Sequence, residues 1–140
     1  MEPDFIQEVT ERHGYLSWLG VEADEAEEGH VVLSLEHDSD FTNSNGGING
    51  GILSTLIDYS SIMAVKSTAD EPDELAVPTT NLNVSFMRPA MTDVAVEATV
   101  LWQGGSSAVT FAEISELDDR ERTLTIGTAS VRTFDRSAPS

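Results

Sequence analysis

The chain has 140 residues, with 25 acidic side chains against 7 basic ones, three histidines and no cysteine, for a formal charge of −18 at pH 7. The length suits one domain over residues 1–140 with a core of its own. The missing cysteine excludes disulfides, zinc fingers, iron–sulfur ligation and a thiol nucleophile, and the charge excludes nucleic acid or an anionic membrane surface as partner, since both demand clustered Lys and Arg.

The opening stretch MEPDFIQEVTERHG has no basic segment followed by an apolar one, so no signal peptide is expected. No apolar run approaches the roughly 20 residues of a membrane helix, and the expectation is a soluble, cytoplasmic protein. A pI near 4.1 with Lys66 as the sole lysine fits a salt-adapted (halophilic) cytoplasm or ordinary solubility by net charge, and we favour the former.

Residues 3–19 carry Phe5, Ile6, Val9, Leu16 and Leu19 at loose helical spacing, with Pro3 at a favoured first position, and predict one leading helix closed by Gly20. Residues 21–38 read as a hairpin turning at Glu28-Gly29, with Val31, Leu33 and Leu35 alternating on one face. The following FTNSNGGINGG is a loop too rich in Asn and Gly for any regular element. From Gly50 to Lys66 the pattern is helical: Ile52, Leu56, Tyr59 and Met63 form one stripe that Leu53, Ile57, Ser60 and Ala64 widen, so this helix is buried almost all round. The remainder reads as four strands over 75–87, 94–102, 106–117 and 122–134, with turns at Gly104-Gly105 and Asp118-Asp119. The class is α+β: an antiparallel sheet whose apolar face is covered by one central helix.

Chemistry concentrates where the glycine loop runs into that helix. Free backbone N–H groups at the positive end of a helix dipole hold an anion or polarise a carbonyl; the same loop also fits a tight turn capped by Asn49 with no ligand. Asp58, in the middle of the most apolar helix, sharpens the case, because a carboxylate there is costly unless hydrogen-bonded, paired or functional. A bond to a nearby hydroxyl such as Thr55 is the bland alternative. Asp58 lies eight residues past Gly50, roughly 12 Å at 1.5 Å per residue, so the two cannot act on one bond within a chain. If both act, the site is shared by two chains across a two-fold axis.

Asn43…Gly46…Asn49-Gly50-Gly51…Thr55-Leu56-Ile57-Asp58, followed by Thr79 through Phe86-Met87-Arg88-Pro89, resembles the hotdog-fold acyl-CoA thioesterases of the PaaI type over essentially the whole chain. The resemblance implies a hotdog fold, a sheet wrapped around the long central helix, and hydrolysis of acyl-CoA thioesters without metal or cofactor, coenzyme A entering as part of the substrate. Carried over by position, it implies that Gly50 offers its N–H to the thioester carbonyl and that Asp58 of the facing subunit is nucleophile or general base. Thr79 then positions the water or the carboxylate, and Asn43 orients the thioester. Asn49, Gly51, Tyr59 and Arg88 complete the candidate set as substrate-contacting residues, with Ile62, Met63 and Phe86 shaping the acyl pocket. The family's His-Gly-Gly departs here to Asn49-Gly50-Gly51, Asn being a good N-cap and donor. The family also implies a homodimer or a dimer of dimers.

His13, His30 and His37 have no metal-ligand spacing and read as surface residues, and Trp18 and Trp102 read as core or interface residues. Arg88 reads either as a contact to coenzyme A phosphates or as a structural ion pair. Two other functions stand beside hydrolysis: a non-catalytic acyl-CoA-binding protein, which the Asn49 change favours, and a hydratase or dehydratase, which needs a histidine that residues 46–66 lack.

Overall fold

The computed structural model describes residues 1–137. Two short helices, α1 (Pro3–Arg12) and α2 (Gly14–Leu19), replace the single leading helix expected from the sequence. His13 takes an extended conformation between them, so Gly14 restarts the helix instead of only weakening it. Gly20 closes α2 in the left-handed conformation, at φ +80°, where a side chain would be strained. Strands β1 (Glu22–Glu27) and β2 (His30–Leu35) form the expected hairpin, with Gly29 at φ +78° in its turn.

Helix α3 spans Gly50–Lys66, the bounds read from its apolar stripe. The expected strand over 75–87 is in fact two pieces. β3 (Leu75–Ala76) pairs with β8 (Phe134–Asp135) in a small separate ladder, and β4 (Thr79–Phe86) joins the main sheet. Pro78, lacking an N–H, sits at the break between them. Strands β5 (Val94–Gln103), β6 (Ser107–Glu116) and β7 (Asp119–Arg132) form the long meander expected, except that β7 already begins at Asp119, expected in the turn, and ends at Arg132, so that Phe134 falls in β8. The main sheet is antiparallel at every pairing, in the order β1-β2-β5-β6-β7-β4.

The concave face of this sheet packs on α3, which touches β2, β4, β5, β6 and β7. Leu56, Ile57, Ala64, Val96, Ala98, Ala112 and Ile114 are sealed between helix and sheet. Small residues on β5, β6 and β7 set how closely the helix approaches. The limiting one is Gly127: a Cβ there would lie 2.8 Å from Cγ2 of Ile57 and 2.9 Å from the Asn83 carbonyl. Helix α1, whose Ile6, Val9 and Thr10 are buried, packs mainly on β1 and meets α3 at Tyr59. Among the described residues no helix is long and apolar enough to cross a membrane.

Candidate active site

Between β2 and α3 the chain runs through a 3₁₀ turn (Ser39–Phe41) into the glycine loop, which its own backbone and two side chains hold rigid. Asn43 N–H donates to Gly47 O at 2.8 Å, and Gly46 N–H donates back to Asn43 O at 3.1 Å. The Asn43 side-chain oxygen accepts from the N–H groups of Asn45 and Gly47. Gly46 sits at φ +87°, where glycine is the residue that carries no strain. Opposite it, Nε2–H of His37 donates to Gly46 O at 2.8 Å, and Ile48 N–H donates to Ala90 O at 2.9 Å. His37 is therefore half-buried support for the loop and not the surface residue its isolation in the sequence suggested.

This scaffold presents the N-terminus of α3. Asn49 caps the helix, its Oδ1 accepting from Gly51 N–H at 2.8 Å. That bond occupies Gly51's amide and leaves the N–H of Gly50 without an acceptor among the described residues. Gly50 must stay small as well: a Cβ would stand 3.3 Å from Cζ of Phe86. Asn43, Gly50, Phe86 and Arg88 together line a cavity of about 290 Å³. Arg88 donates from Nη1 to Thr123 O at 2.5 Å, so part of its guanidinium anchors the cavity's rim to β7.

The second half of the site lies two turns further along α3. Asp58 is half-buried, and Thr79, the first residue of β4, donates its hydroxyl to Oδ1 at 2.5 Å. No cation lies within ion-pair distance of Asp58 among the described residues. Thr55 does not satisfy the carboxylate; its hydroxyl donates back to Gly51 O. Short O–H···O⁻ bonds of this kind are charge-assisted and fix a carboxylate's orientation. The bond engages Oδ1 and leaves Oδ2 for a water or an electrophile.

The remaining candidates fall apart by location. Tyr59 points the other way, toward α1. Thr10 donates its hydroxyl to Ile6 O at 2.7 Å, so the 2.8 Å contact between Thr10 and Tyr59 has the phenol as donor. Burial, more than anything else, pushes that phenol above its ordinary value. Neither tryptophan belongs to the core: Trp18 is 58% exposed against the edge of Phe41, and Trp102 is 56% exposed at the end of β5. His30 pairs with Glu97 at 3.3 Å.

Two groups of site residues thus stand apart on one helix, Asn43 with Gly50 and Asp58 with Thr79, separated by the roughly 12 Å of eight helical residues. A model of the thioesterase superfamily matches residues 45–123, a span that holds the glycine loop from Asn45 onward, all of α3 and β4. The chain belongs to the thioesterase superfamily. A candidate esterase of Halobacterium salinarum is 38% identical over 138 residues, covering 92% of this chain and 90% of that protein. Human acyl-coenzyme A thioesterase 13 is 28% identical over 115 residues, 80% of each chain. Among solved structures, the Escherichia coli PaaI protein from the phenylacetic acid degradation operon superposes with a TM-score of 0.81 at 21% identity, over 91% of this chain and 89% of that one. The fold is the α+β hotdog fold, of the PaaI type, and the general chemistry of this thioesterase is thioester hydrolysis.

Proposed function

We propose that this thioesterase hydrolyses acyl-CoA thioesters at a site shared by two protomers, with Gly50 N–H of one holding the thioester carbonyl and Asp58 of the other delivering the attacking oxygen. The observation that carries the reading is the division of α3. It has a free amide at its N-terminus and an oriented carboxylate two turns on, too far apart to meet within one chain. A two-fold axis that sets two such helices side by side and antiparallel brings each amide to the other's carboxylate. Strand β4 supports this assembly. It pairs only with β7, its outer edge is unpaired, and Leu82, Phe86 and Met87 are exposed on it or just beyond it. An unpaired apolar edge is a template for another strand, and the partner proposed is a second copy; a dimer of dimers is compatible with the same site.

With Asp58 as base, Oδ2 takes a proton from water while its oxygen bonds the carbonyl carbon. The negative charge gathers on the carbonyl oxygen against Gly50 N–H and the positive end of α3. The C–S bond then breaks, and coenzyme A leaves as a thiolate that needs little acid assistance. With Asp58 as nucleophile, Oδ2 bonds the carbonyl carbon, the C–S bond breaks to release the coenzyme A thiolate, and water cleaves the resulting anhydride to the free acid and the regenerated carboxylate. In either form Thr79 holds Oδ1, Asn43 and Phe86 frame the thioester, and Arg88 faces the coenzyme A end. Asn49 in place of the family's histidine is the feature that favours a non-catalytic binder. Here, however, it caps α3 with a 2.8 Å bond, which supports a formed amide site.

The test is thiol release from a panel of acyl-CoA thioesters at high salt by wild type and Asp58→Asn. The expected result is turnover that falls by about 10²- to 10⁴-fold in the variant, the span of a lost acid–base group, with acyl-CoA binding retained. Saturable binding with no turnover by wild type turns the reading to the binder.

A further inference from the structure

One turn beyond Asp58, a cavity of about 360 Å³ opens between α1, α3 and the β3–β8 ladder, with Val9, Tyr59, Ile62, Met63, Pro78 and Phe134 on its walls. Pro78 is the chain neighbour of Thr79 and Ile62 lies one helical turn from Asp58, so the cavity adjoins the Asp58–Thr79 pair, which does not itself line it. Its walls are largely apolar, and Lys66 lines its far end. Asp58, Ile62 and Lys66 follow one another at four-residue spacing, one stripe of the helix.

Lys66 is unusual twice over: it is the sole lysine of the chain, and it is only 8% exposed. Lysines ordinarily run their stems along apolar surface and keep the ammonium in water. No carboxylate lies within ion-pair distance of this one among the described residues. Asp73, the acidic group that acts on it, is itself paired with Arg12 at 3.7 Å. Arg136 lines the same cavity, so scarce positive charge in a chain of net −18 gathers here. Burial, and then repulsion from Arg136, hold the ammonium below the usual lysine value. The C-terminal dipole of α3 favours a cation at its last residue but does not require burying it. An apolar cavity beside a carboxylate, with an unpaired ammonium and a guanidinium on its wall, is complementary to an apolar spacer ending in an anion.

We propose that this cavity receives the distal part of the acyl group and that Lys66 selects acyl chains ending in a carboxylate. The inference rests on the hydrolysis proposed above, with Asp58 at the thioester carbon. It is tested by kcat/KM for adipyl- and suberyl-CoA against hexanoyl- and octanoyl-CoA, pairs of equal chain length, in wild type, Lys66→Met and Lys66→Arg. Wild type is expected to prefer the carboxyl-ended member of each pair by about tenfold or more, the worth of one desolvated ion pair. Lys66→Met lowers the suberyl-to-octanoyl ratio by about tenfold or more, and Lys66→Arg, which keeps the charge, restores most of it. A ratio at or below one in wild type overturns the inference without any variant, as does a Lys66→Met ratio equal to that of wild type. Release without carboxylate preference thus removes this inference alone, whereas no release from any thioester removes the hydrolysis on which it rests.

Discussion

The proposed division of the site between two chains is open to a complementation experiment whose yield is fixed in advance. One variant is Asp58→Asn. The other is Gly50→Pro, which deletes the amide hydrogen at the first helical position, where proline is otherwise well tolerated. Asn49 at φ −57° and ψ 136° already has the extended conformation that a following proline demands. The added ring meets Phe86, whose Cζ would lie 3.3 Å from the new Cβ, but that side chain is 53% exposed and free to shift by a few tenths of an ångström. Gly50→Ala, which keeps the N–H, measures the steric part alone. Losing an oxyanion donor costs about 10²- to 10³-fold in kcat, so each variant alone is nearly silent. Co-expressed in equal amounts with different tags, half of the dimers are mixed, and in each mixed dimer one of two sites pairs an intact Gly50 with an intact Asp58. The mixture should therefore recover about one quarter of wild-type activity per site, far above either parent. If the two residues served one site within one chain, no chain in the mixture would hold both intact and nothing would be recovered. Activity in the mixture no greater than the mean of the two parents would refute the shared site.

Thr79→Val removes the hydroxyl that holds Asp58 while keeping the shape of the side chain. A hydrogen bond to a charged group contributes about 1.5–3 kcal/mol; with Asp58 half-exposed and water able to replace the hydroxyl, thiol-release assays should show a loss of about 10- to 30-fold in kcat/KM, which Thr79→Ser recovers. Gly127→Ala places a methyl 2.8 Å from Ile57 and 2.9 Å from a backbone carbonyl, an overpacking cost of about 1–3 kcal/mol, read as an earlier denaturant midpoint at fixed protein concentration. His37→Ala frees Gly46 O and should lower kcat more than it lowers the melting temperature. Tyr59 supplies a pH dependence: its phenol is pushed above 10.0 by burial, so the stability it contributes is full below that value and is lost as pH rises through the raised one. Melting curves of Tyr59→Phe should lack that share of the alkaline decline.

What could be read from the sequence is what local chemistry encodes. The bounds of α3 follow from a stripe and a cap that sit side by side in the chain, and Asp58 stood out because a carboxylate inside that stripe has no cheap explanation. Its bond to Thr79 connects residues 21 apart, and only the family pattern pointed to it. His37 and Gly127 carried no signal of their own. The first gains its role from a loop that folds back onto it, and the second from a helix that crosses its strand. The break at His13 shows the same limit, because Gly14 in an apolar pattern is compatible with a weak helix and with two. Strand order is a property of long-range pairing, and nothing in the spacing of 75–87 told that its first two residues leave the main sheet to pair with β8.

Strand β4 carries Thr79 at one end and Phe86 at the other, so a single edge touches both halves of the proposed site. In a two-fold pairing of this edge with its copy, the Thr79 end of one strand runs beside the Phe86 end of the other. The smallest slip that keeps the same side chains facing inward is two residues, or about 7 Å at 3.4 Å per residue. That displacement exceeds the length of any hydrogen bond, so in the proposed dimer assembly and catalysis depend on one and the same alignment: a misregistered pair would be a folded protein with no enzyme in it.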